Sequence, residues 1–259
     1  AYAFELSEAG IAAAEMGRQP RLSFSALERD VLAVSPLRDN VLRPEALLAQ
    51  VRAMVPADGS RKRRRAAVIL PDYAVRVTVL DFDDFPSDSR QQASLVRFRL
   101  KRTVPFDVES AALSFCAQPA RSKGSKKVDV VAALAPLEIV AHYEAPFRLA
   151  GFHPGLVTTS TLAALNLLPA AGLQLFAKRT GRVLSIAVAD QGMLRLARTI
   201  ELAAPDAGEI AGHLFPTLAY VEDQLGGAPA ALHVCGFGPD VGQIAAWLES
   251  ELRIKVEAL

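Results

Sequence analysis

Three short stretches carry the residue types from which an anion site could be built. The chain begins AYAFELSEAG, where Tyr2, Phe4 and Leu6 alternate with Ala3 and Glu5 as a strand does. Ser7-Glu8-Ala9-Gly10 reads as a turn and Ile11 to Met16 as the returning strand. A hairpin turn holds phosphate when glycine lets backbone N–H groups approach and a charged side chain is aimed at the anion. A second hairpin turns at KRTG, Lys178 to Gly181, and GFGPD, from Gly236, supplies a lone G-x-G. By itself that last motif is as well read as an ordinary strand-to-helix turn. Other chemistries find little. His142, His153, His213 and His233 share no metal-ligand spacing with one another or with Cys116 and Cys235. There is no G-x-S-x-G, and no serine has a base readable beside it.

The rest of the chain must position these turns. Its 259 residues suffice for one large domain or two ordinary ones. A hydrophobic content of 51% with 22% charged residues is that of a folded chain, not a disordered one. A net charge of +1 gives no global attraction to nucleic acid or to an acidic membrane. The cysteines lie in apolar runs, LSFCAQ and LHVCGF, and read as buried free thiols of a reducing compartment. No stretch approaches the ~20 apolar residues of a membrane span; the longest, VVAALAPLEIVA, is interrupted by Pro136 and Glu138. There is no signal-peptide pattern, and Ala1 in place of Met points to a natural start upstream. A cytoplasmic, soluble body is expected.

Arg21 to Asn40 is mixed in character, after which LRPEALLAQVRAMV spaces its apolar residues as a helix with Pro44 in the first turn. The basic connector SRKRRR (Ser60 to Arg65) leads to the strand AAVILP, and AVRVTVLDF alternates as another. A helix from Ser87 places Ala93, Val96, Leu100 and Val104 on one face and Arg90, Arg97, Arg99, Lys101 and Arg102 elsewhere, with Pro105 ending it. SAALSFCAQ and VDVVAALA are strands joined by the polar loop PARSKGSKK, and PLEIVAHYEAPFRLAG is a helix stopped by Gly151. TSTLAALNLL reads as helical, and Leu173 to Leu202 as three strands turning at KRTG and DQG. A helix spans about Ala207 to Leu225, where Pro216 should kink or split it. GGAPAALHVCGFG gives turn, strand and glycine loop, DVGQIAAWLESEL a helix, and IKVEAL a strand that reads as unfinished. The order is that of an α/β or α+β fold in two halves, each opening on hairpin strands that lead into a helix, so an internal duplication is expected.

Several of these segments together resemble the PilM family, the actin-like cytoplasmic component of type IV pilus assembly related to FtsA. ILPDYAVRVTVLDF is similar to the family's paired strands, and DSRQQASLVRFRLKRTVPFDVESAALSF to its helix, the Pro-Phe after it and the acidic residue before the next strand. VDVVAALAPLEIVAHYEAPFRLAGFHPGLVTTSTLAAL resembles the strand and helix that return the chain to the main body. LFPTLAYVEDQLGGAPAALHVCGFG and IAAWLESELRIKVEAL continue the match, which is clearest from Ala66 to Leu259. The resemblance implies an α/β, actin-like (ribonuclease H-like) fold of two halves with a small inserted FtsA/PilM-type α+β subdomain. The expected segments are 1–65 for the first half, 66–151 for the insert and 152–259 for a second half incomplete at its C-terminal end. It also implies ATP binding and capture of the cytoplasmic tail of PilN, an inner-membrane protein.

The family's nucleotide residues are poorly kept. Its first turn carries Asp, then Gly, with Lys on the returning strand; here Glu5, Ser7 and Ala12 stand in those places. The second turn should carry an Asp-Ile-Gly-like stretch, where Ala177, Lys178 and Arg179 stand instead; Thr180 and Gly181 remain as anion binders, with Lys178 or Arg179 to meet a phosphate. Asp190 lies one turn too late to be the missing acid. Gly236 and Gly238 flank Phe237 in the adenosine-side loop, where Phe237 would occupy or cover the base pocket. The candidate degenerate cleft is therefore Glu5, Ser7, Lys178, Thr180, Gly181, Gly236, Phe237 and Gly238. The expectation is a pseudo-ATPase with no metal and no cofactor, ATP with Mg²⁺ being the alternative. Its partner would be a PilN-like tail, lying between the first-half body and the insert, with Arg97, Lys101 and Arg102 as contact residues. Arg61 to Arg65 reads as a solvated loop, or as an attraction for anionic headgroups or an acidic partner. No nucleic acid and no membrane span of its own are expected, and the protein would sit at the inner membrane through its partner. Divergent ATPase and cytoplasmic actin-like domain of a type II secretion protein are the competing readings.

Overall fold

The computed structural model describes residues 1–55, 64–119 and 127–259. By contacts the chain forms two units, each built from three separate stretches: Ala1–Arg76, Leu100–Leu113 and Leu134–Ala163 in one, and Val77–Arg99, Ser114–Ala133 and Ala164–Leu259 in the other.

The first unit is organised on a five-stranded sheet. β1 (Tyr2–Ser7) pairs antiparallel with β2 (Gly10–Glu15), and β2 with β3 (Arg21–Ala26); β1 also pairs in parallel with β4 (Arg64–Leu70), and β4 with β8 (Phe152–Thr159). The order is β3-β2-β1-β4-β8. Period-two alternation puts Phe4, Leu6, Ile11 and Val68 on one face. There they meet Leu47 and Val51 of α1 (Pro44–Met54) and Ile139, Tyr143 and Phe147 of α3 (Leu137–Leu149). Phe4 lies at the centre of an aromatic group, 5.0 Å from Phe147 and 5.1 Å from Phe152 by ring centroids. Tyr143 is fully buried and donates its hydroxyl proton to Asn40 Oδ1 at 3.1 Å. The Asn40 amide in turn donates to the carbonyls of Ser35 and Arg38, fixing the chain that enters α1.

The second unit repeats that topology. β9 (Leu173–Thr180), β10 (Val183–Asp190) and β11 (Met193–Glu201) form an antiparallel meander, and β9 pairs in parallel with β12 (Ala231–Cys235), which pairs with β13 (Val256–Ala258). The order β11-β10-β9-β12-β13 is the first sheet's order over again, so the expected duplication is present. α5 (Ala207–Leu225) and α6 (Val241–Leu252) cover the sheet through Ile210, Leu214, Val221, Leu248 and Leu252. Asp206 caps α5 by accepting from Glu209 N, and Glu209 reaches back to the amides of Ala203 and Ala204. Between the halves in sequence lie β5 (Arg76–Phe82), α2 (Ser89–Leu100), β6 (Ala111–Ala117) and β7 (Val128–Pro136), whose strands make a separate sheet of order β5-β7-β6.

Several sequence expectations are corrected. RLSFSA, within the stretch read as mixed, is β3, and FHPGLVTT, left unread, is β8. TSTLAALNLL is only in part helical: α4 spans Ser160–Ala164 and a single 3₁₀ turn follows. Arg64 and Arg65 belong to β4 rather than to a connector, while Arg61 to Arg63 and most of PARSKGSKK fall outside the described residues. α2 starts at Ser89 because Asp88 accepts from the amides of Arg90 and Gln91, and it ends at Leu100, where Thr103 folds back onto the Leu100 carbonyl. Pro216 does not split α5. Cys116 is exposed and Cys235 half-buried, against the expectation of buried thiols: both sit at strand ends, where one side faces solvent.

Two polar contacts hold the second unit together inside its core. Arg195 of β11 and Asp129 of β7, each 5% exposed by side chain, form an ion pair at 2.8 Å. Beside it Gln118 donates to the carbonyl of Leu194 at 2.7 Å, and its own amide donates to the carbonyl of Asp129. Charge buried this deeply is tolerated because it is paired and hydrogen-bonded.

Candidate functional site

In the first unit the polar side chains gather where the parallel strands β1, β4 and β8 end, the edge at which open α/β sheets place ligands. Glu5 lies near the end of β1, opposite Ala12 on one side and Ile69 on the other. Its carboxylate accepts the hydroxyl proton of Ser160, the first residue after β8. Asp72, just past β4, is buried and accepts both from Thr161 N at 2.7 Å and from Thr161 Oγ1 at 2.8 Å. Two carboxylates are thus held by two consecutive hydroxyl residues. Asp72, Ser160 and Thr161 were not singled out from sequence. The signal that could have found them is their common place, a small or acidic residue one or two positions after a strand.

The turn between β1 and β2 is closed on itself. Ser7 Oγ accepts from Gly10 N at 3.2 Å and donates to Gly10 O at 3.1 Å, so the hydroxyl and one turn amide are used within the hairpin. Glu8 accepts from Val34 N at 2.7 Å. Gly10 has its own packing reason to be glycine: a Cβ there would stand 2.5 Å from the Phe24 ring. The face that carries Glu5 is otherwise mostly apolar. A groove of about 470 Å³ runs along it, lined by Ala3, Glu5, Ala12, Ala14, Leu22 and Phe24 among others. A carboxylate set among alanines repels a phosphate, and Ala12 supplies no cation to offset it.

In the second unit the hairpin of β9 and β10 and the loop after β12 come together. Arg179 donates Nη1 to the carbonyl of Pro205 and Nη2 to that of Phe237, both at 2.9 Å, and its guanidinium lies 5.5 Å from the Phe237 ring centroid. Phe237 itself is buried in this unit's core. Gly236 takes φ +75°, and a Cβ on it would come within 2.2 Å of the Arg179 carbonyl oxygen. Gly238 (φ +79°) lies against the guanidinium. Lys178 Nζ donates to Thr180 Oγ1 at 3.0 Å, and Gly181 (φ +59°) makes the turn itself. Asp190 is 3.6 Å from Arg195.

Of the residues predicted from sequence, then, Gly236, Phe237 and Gly238 meet Arg179, and Lys178 meets Thr180. Glu5 and Ser7 belong to the other unit and engage Ser160 and Gly10. Arg97 is half-buried on α2, whereas Lys101 and Arg102 are exposed in the turn that follows it. Among the described residues no three or more His, Cys, Asp or Glu side chains are grouped as a metal site. Among them, too, no helix is long and apolar enough to cross a membrane.

Two sheets of the same order, each opening on a hairpin, with a small sheet interposed in the chain, define an actin-like fold. Comparison with solved structures agrees. The chain is similar over its full length to PilM in a PilM–PilN type IV pilus biogenesis complex, covering 88% of that chain with a TM-score of 0.83 and 19% identity. It is also similar to the cytoplasmic domain of EpsL, an inner-membrane component of the type II secretion system of Vibrio cholerae (TM-score 0.55, 18% identity, 90% of this chain and 80% of that one). A protein of actin-like ATPase fold and unknown function from Bacteroides thetaiotaomicron gives a TM-score of 0.58 at 13% identity, over 100% and 90% of the two chains. No family model matches the sequence, and no curated protein does. The resemblance to PilM read from the residues is borne out in the fold.

Proposed function

We propose that this chain is a PilM-type scaffold of a pilus or related assembly machine, which binds the extended cytoplasmic tail of a PilN-like inner-membrane protein and does not hydrolyse nucleotide. The observation that carries this reading is the full-length superposition on PilM of the PilM–PilN complex, insert included. The chemistry of the two hairpins supports the second part. Where a Mg·ATP cradle needs an acidic residue on the second turn and a cation on the first, this chain has Arg179 committed to two carbonyls and Ala12. A scaffold of this kind works in the cytoplasm and is held at the inner membrane through its partner. The tail gains affinity from main-chain pairing or groove burial, and Arg97, Lys101 and Arg102 set its orientation by charge.

The test is calorimetry with synthetic tail peptides of the inner-membrane proteins encoded with this chain. Saturable binding by one tail, weakened by charge reversal at Lys101 and Arg102, is expected; failure of every tail overturns the reading. The likeness to the EpsL domain keeps a type II secretion role as the second reading. Binding of a secretion-system peptide in place of a pilus one selects it.

A further inference from the structure

The outer edge of β3 is built to pair. β3 ends the first sheet and is exposed along almost its whole length, with Leu22 83% and Phe24 63% exposed. Exposed sheet edges are usually blunted by proline, charge, brevity or a bulge. The other outer strand of this sheet follows that rule: β8 carries Pro154, and its register breaks opposite Ala66 and Ala67. In the second sheet β13 is only three residues long. β3 has six residues, no proline, no break in register against β2 and a single charge, Arg21.

The direction of its free hydrogen-bonding groups follows from one bond. Leu27 N donates to Ala9 O, so at odd positions the N–H and C=O point toward β2. At even positions they therefore point outward, at Leu22, Phe24 and Ala26. These even positions also carry the side chains of the alanine-lined face: Phe24 stands opposite Ala12 and Leu22 opposite Ala14.

We propose that β3 pairs antiparallel with β3 of a second copy, joining the two five-stranded sheets into one of ten. A two-fold pairing keeps the faces of both sheets in line only if its axis passes through a residue, because directly opposed residues share a face. An axis through Leu22 sets Phe24 against Pro20, and one through Phe24 sets Leu22 against Ala26. An axis through Ser23 sets Leu22 against Phe24 of the second copy, twice. Both positions point their backbone groups outward, so each pair exchanges two hydrogen bonds and makes an apolar cross-strand contact. Past the paired residues, exposed Arg18 of the bend before β3 lies toward the end at which Glu28 of the second copy leaves its own β3, which is charge complementarity at both ends. Glu28 holds Arg43 through one oxygen, and its side chain is 75% exposed.

Sedimentation of the full chain over a dilution series tests this, independently of any tail peptide. A concentration-dependent dimer is expected, reduced to monomer by Leu22→Lys and by Phe24→Lys with far-UV circular dichroism unchanged. Because Phe24 also covers Gly10, Leu22→Lys is the cleaner of the two. Arg18→Glu alone weakens the dimer several-fold, and Arg18→Glu combined with Glu28→Arg restores it. A wild-type chain that stays monomeric, even if its β3 accepts a strand from another protein, overturns the proposal. So does a dimer indifferent to Leu22→Lys, or one that the double charge reversal fails to restore.

Discussion

The guanidinium of Arg179 lies over the ring of Phe237 and donates to the same residue's carbonyl, so one side chain fixes both faces of the glycine loop after β12. Gly236 completes the arrangement from the other side, since its left-handed φ and its approach to the Arg179 carbonyl leave no room for a Cβ. Gly236→Ala is therefore expected to cost more than the ~1–2 kcal/mol of a left-handed alanine alone. Gly238→Ala, whose Cβ meets only the end of the Arg179 side chain, should cost near that figure. Urea denaturation of the two variants checks the order; equal losses would show that the Arg179 contact does not constrain the loop.

The same arrangement predicts how the protein responds to nucleotide. A ligand that binds only the folded state raises the melting temperature as its concentration passes its dissociation constant. With Arg179 occupied and no acid on the β9–β10 turn, millimolar Mg·ATP should leave the melting temperature where it is. A rise of several degrees, lost on chelating Mg²⁺, would restore the divergent-ATPase reading.

Arg195 and Asp129 make an asymmetric prediction. Removing one partner takes a buried charge from its 2.8 Å counter-charge, so Arg195→Met should cost about 3–5 kcal/mol and Asp129→Leu less, because Asp190 still faces Arg195 at 3.6 Å. Replacing both removes the charge together with its nearest counter-charge and should cost less than the two single changes summed. A double-mutant cycle by chemical denaturation measures this, and additive losses would mean that the pair does not act as one unit.

His233 makes stability depend on pH. It is buried, and its Nε2 meets Gln174 Oε1 at 2.9 Å; since the Gln174 amide donates to Ala171 O, Nε2 carries the hydrogen. Nδ1 faces Glu257 at 3.4 Å. Burial pushes the imidazole's pKa below its ordinary value, with Glu257 opposing the shift and Lys255 adding to it. A depressed histidine pKa means that the unfolded chain takes up the proton first. Its contribution is complete above the unfolded value near ~6.5 and is lost as pH falls through that value toward the lower native one. Urea midpoints at about pH 7.5 and about pH 5.5 should therefore differ more for the wild type than for His233→Gln. Equal differences would remove His233 as the cause.

How much of this could be read beforehand depended on how local its causes are. The duplicated hairpins, α1, α3 and α5 follow from short-range periodicity and caps such as Asp206 and Gly226, and the sequence shows them plainly. β3 was missed because RLSFSA is exposed on both faces, so there was no buried stripe to recognise. β8 was hidden by Pro154 and Gly155, which read as breakers yet sit at an edge that tolerates them. Pro216 looked like an interruption, but the helix continues past it, with Arg198 donating to the carbonyl of His213 one turn earlier. In the site, Lys178 to Gly181 and Gly236 to Gly238 were visible as turns. That Arg179 would bind Pro205 and Phe237 was not, because its acceptors are backbone atoms 26 and 58 residues away, whose positions only the folded sheet defines.

The interleaving of the two units has a consequence for synthesis. The chain passes from one unit to the other at 76/77, 99/100, 113/114, 133/134 and 163/164. Asp129 leaves the ribosome 66 residues before Arg195, so the buried ion pair of the finished core cannot form until β11 has been made. The first unit has all its residues once Ala163 is made, whereas β7 must wait for β11. A nascent chain halted between these points would hold one finished sheet and a β7 whose contact with Arg195 has yet to be made. Splitting the gene after residue 151 would thus yield fragments that need each other, not two domains.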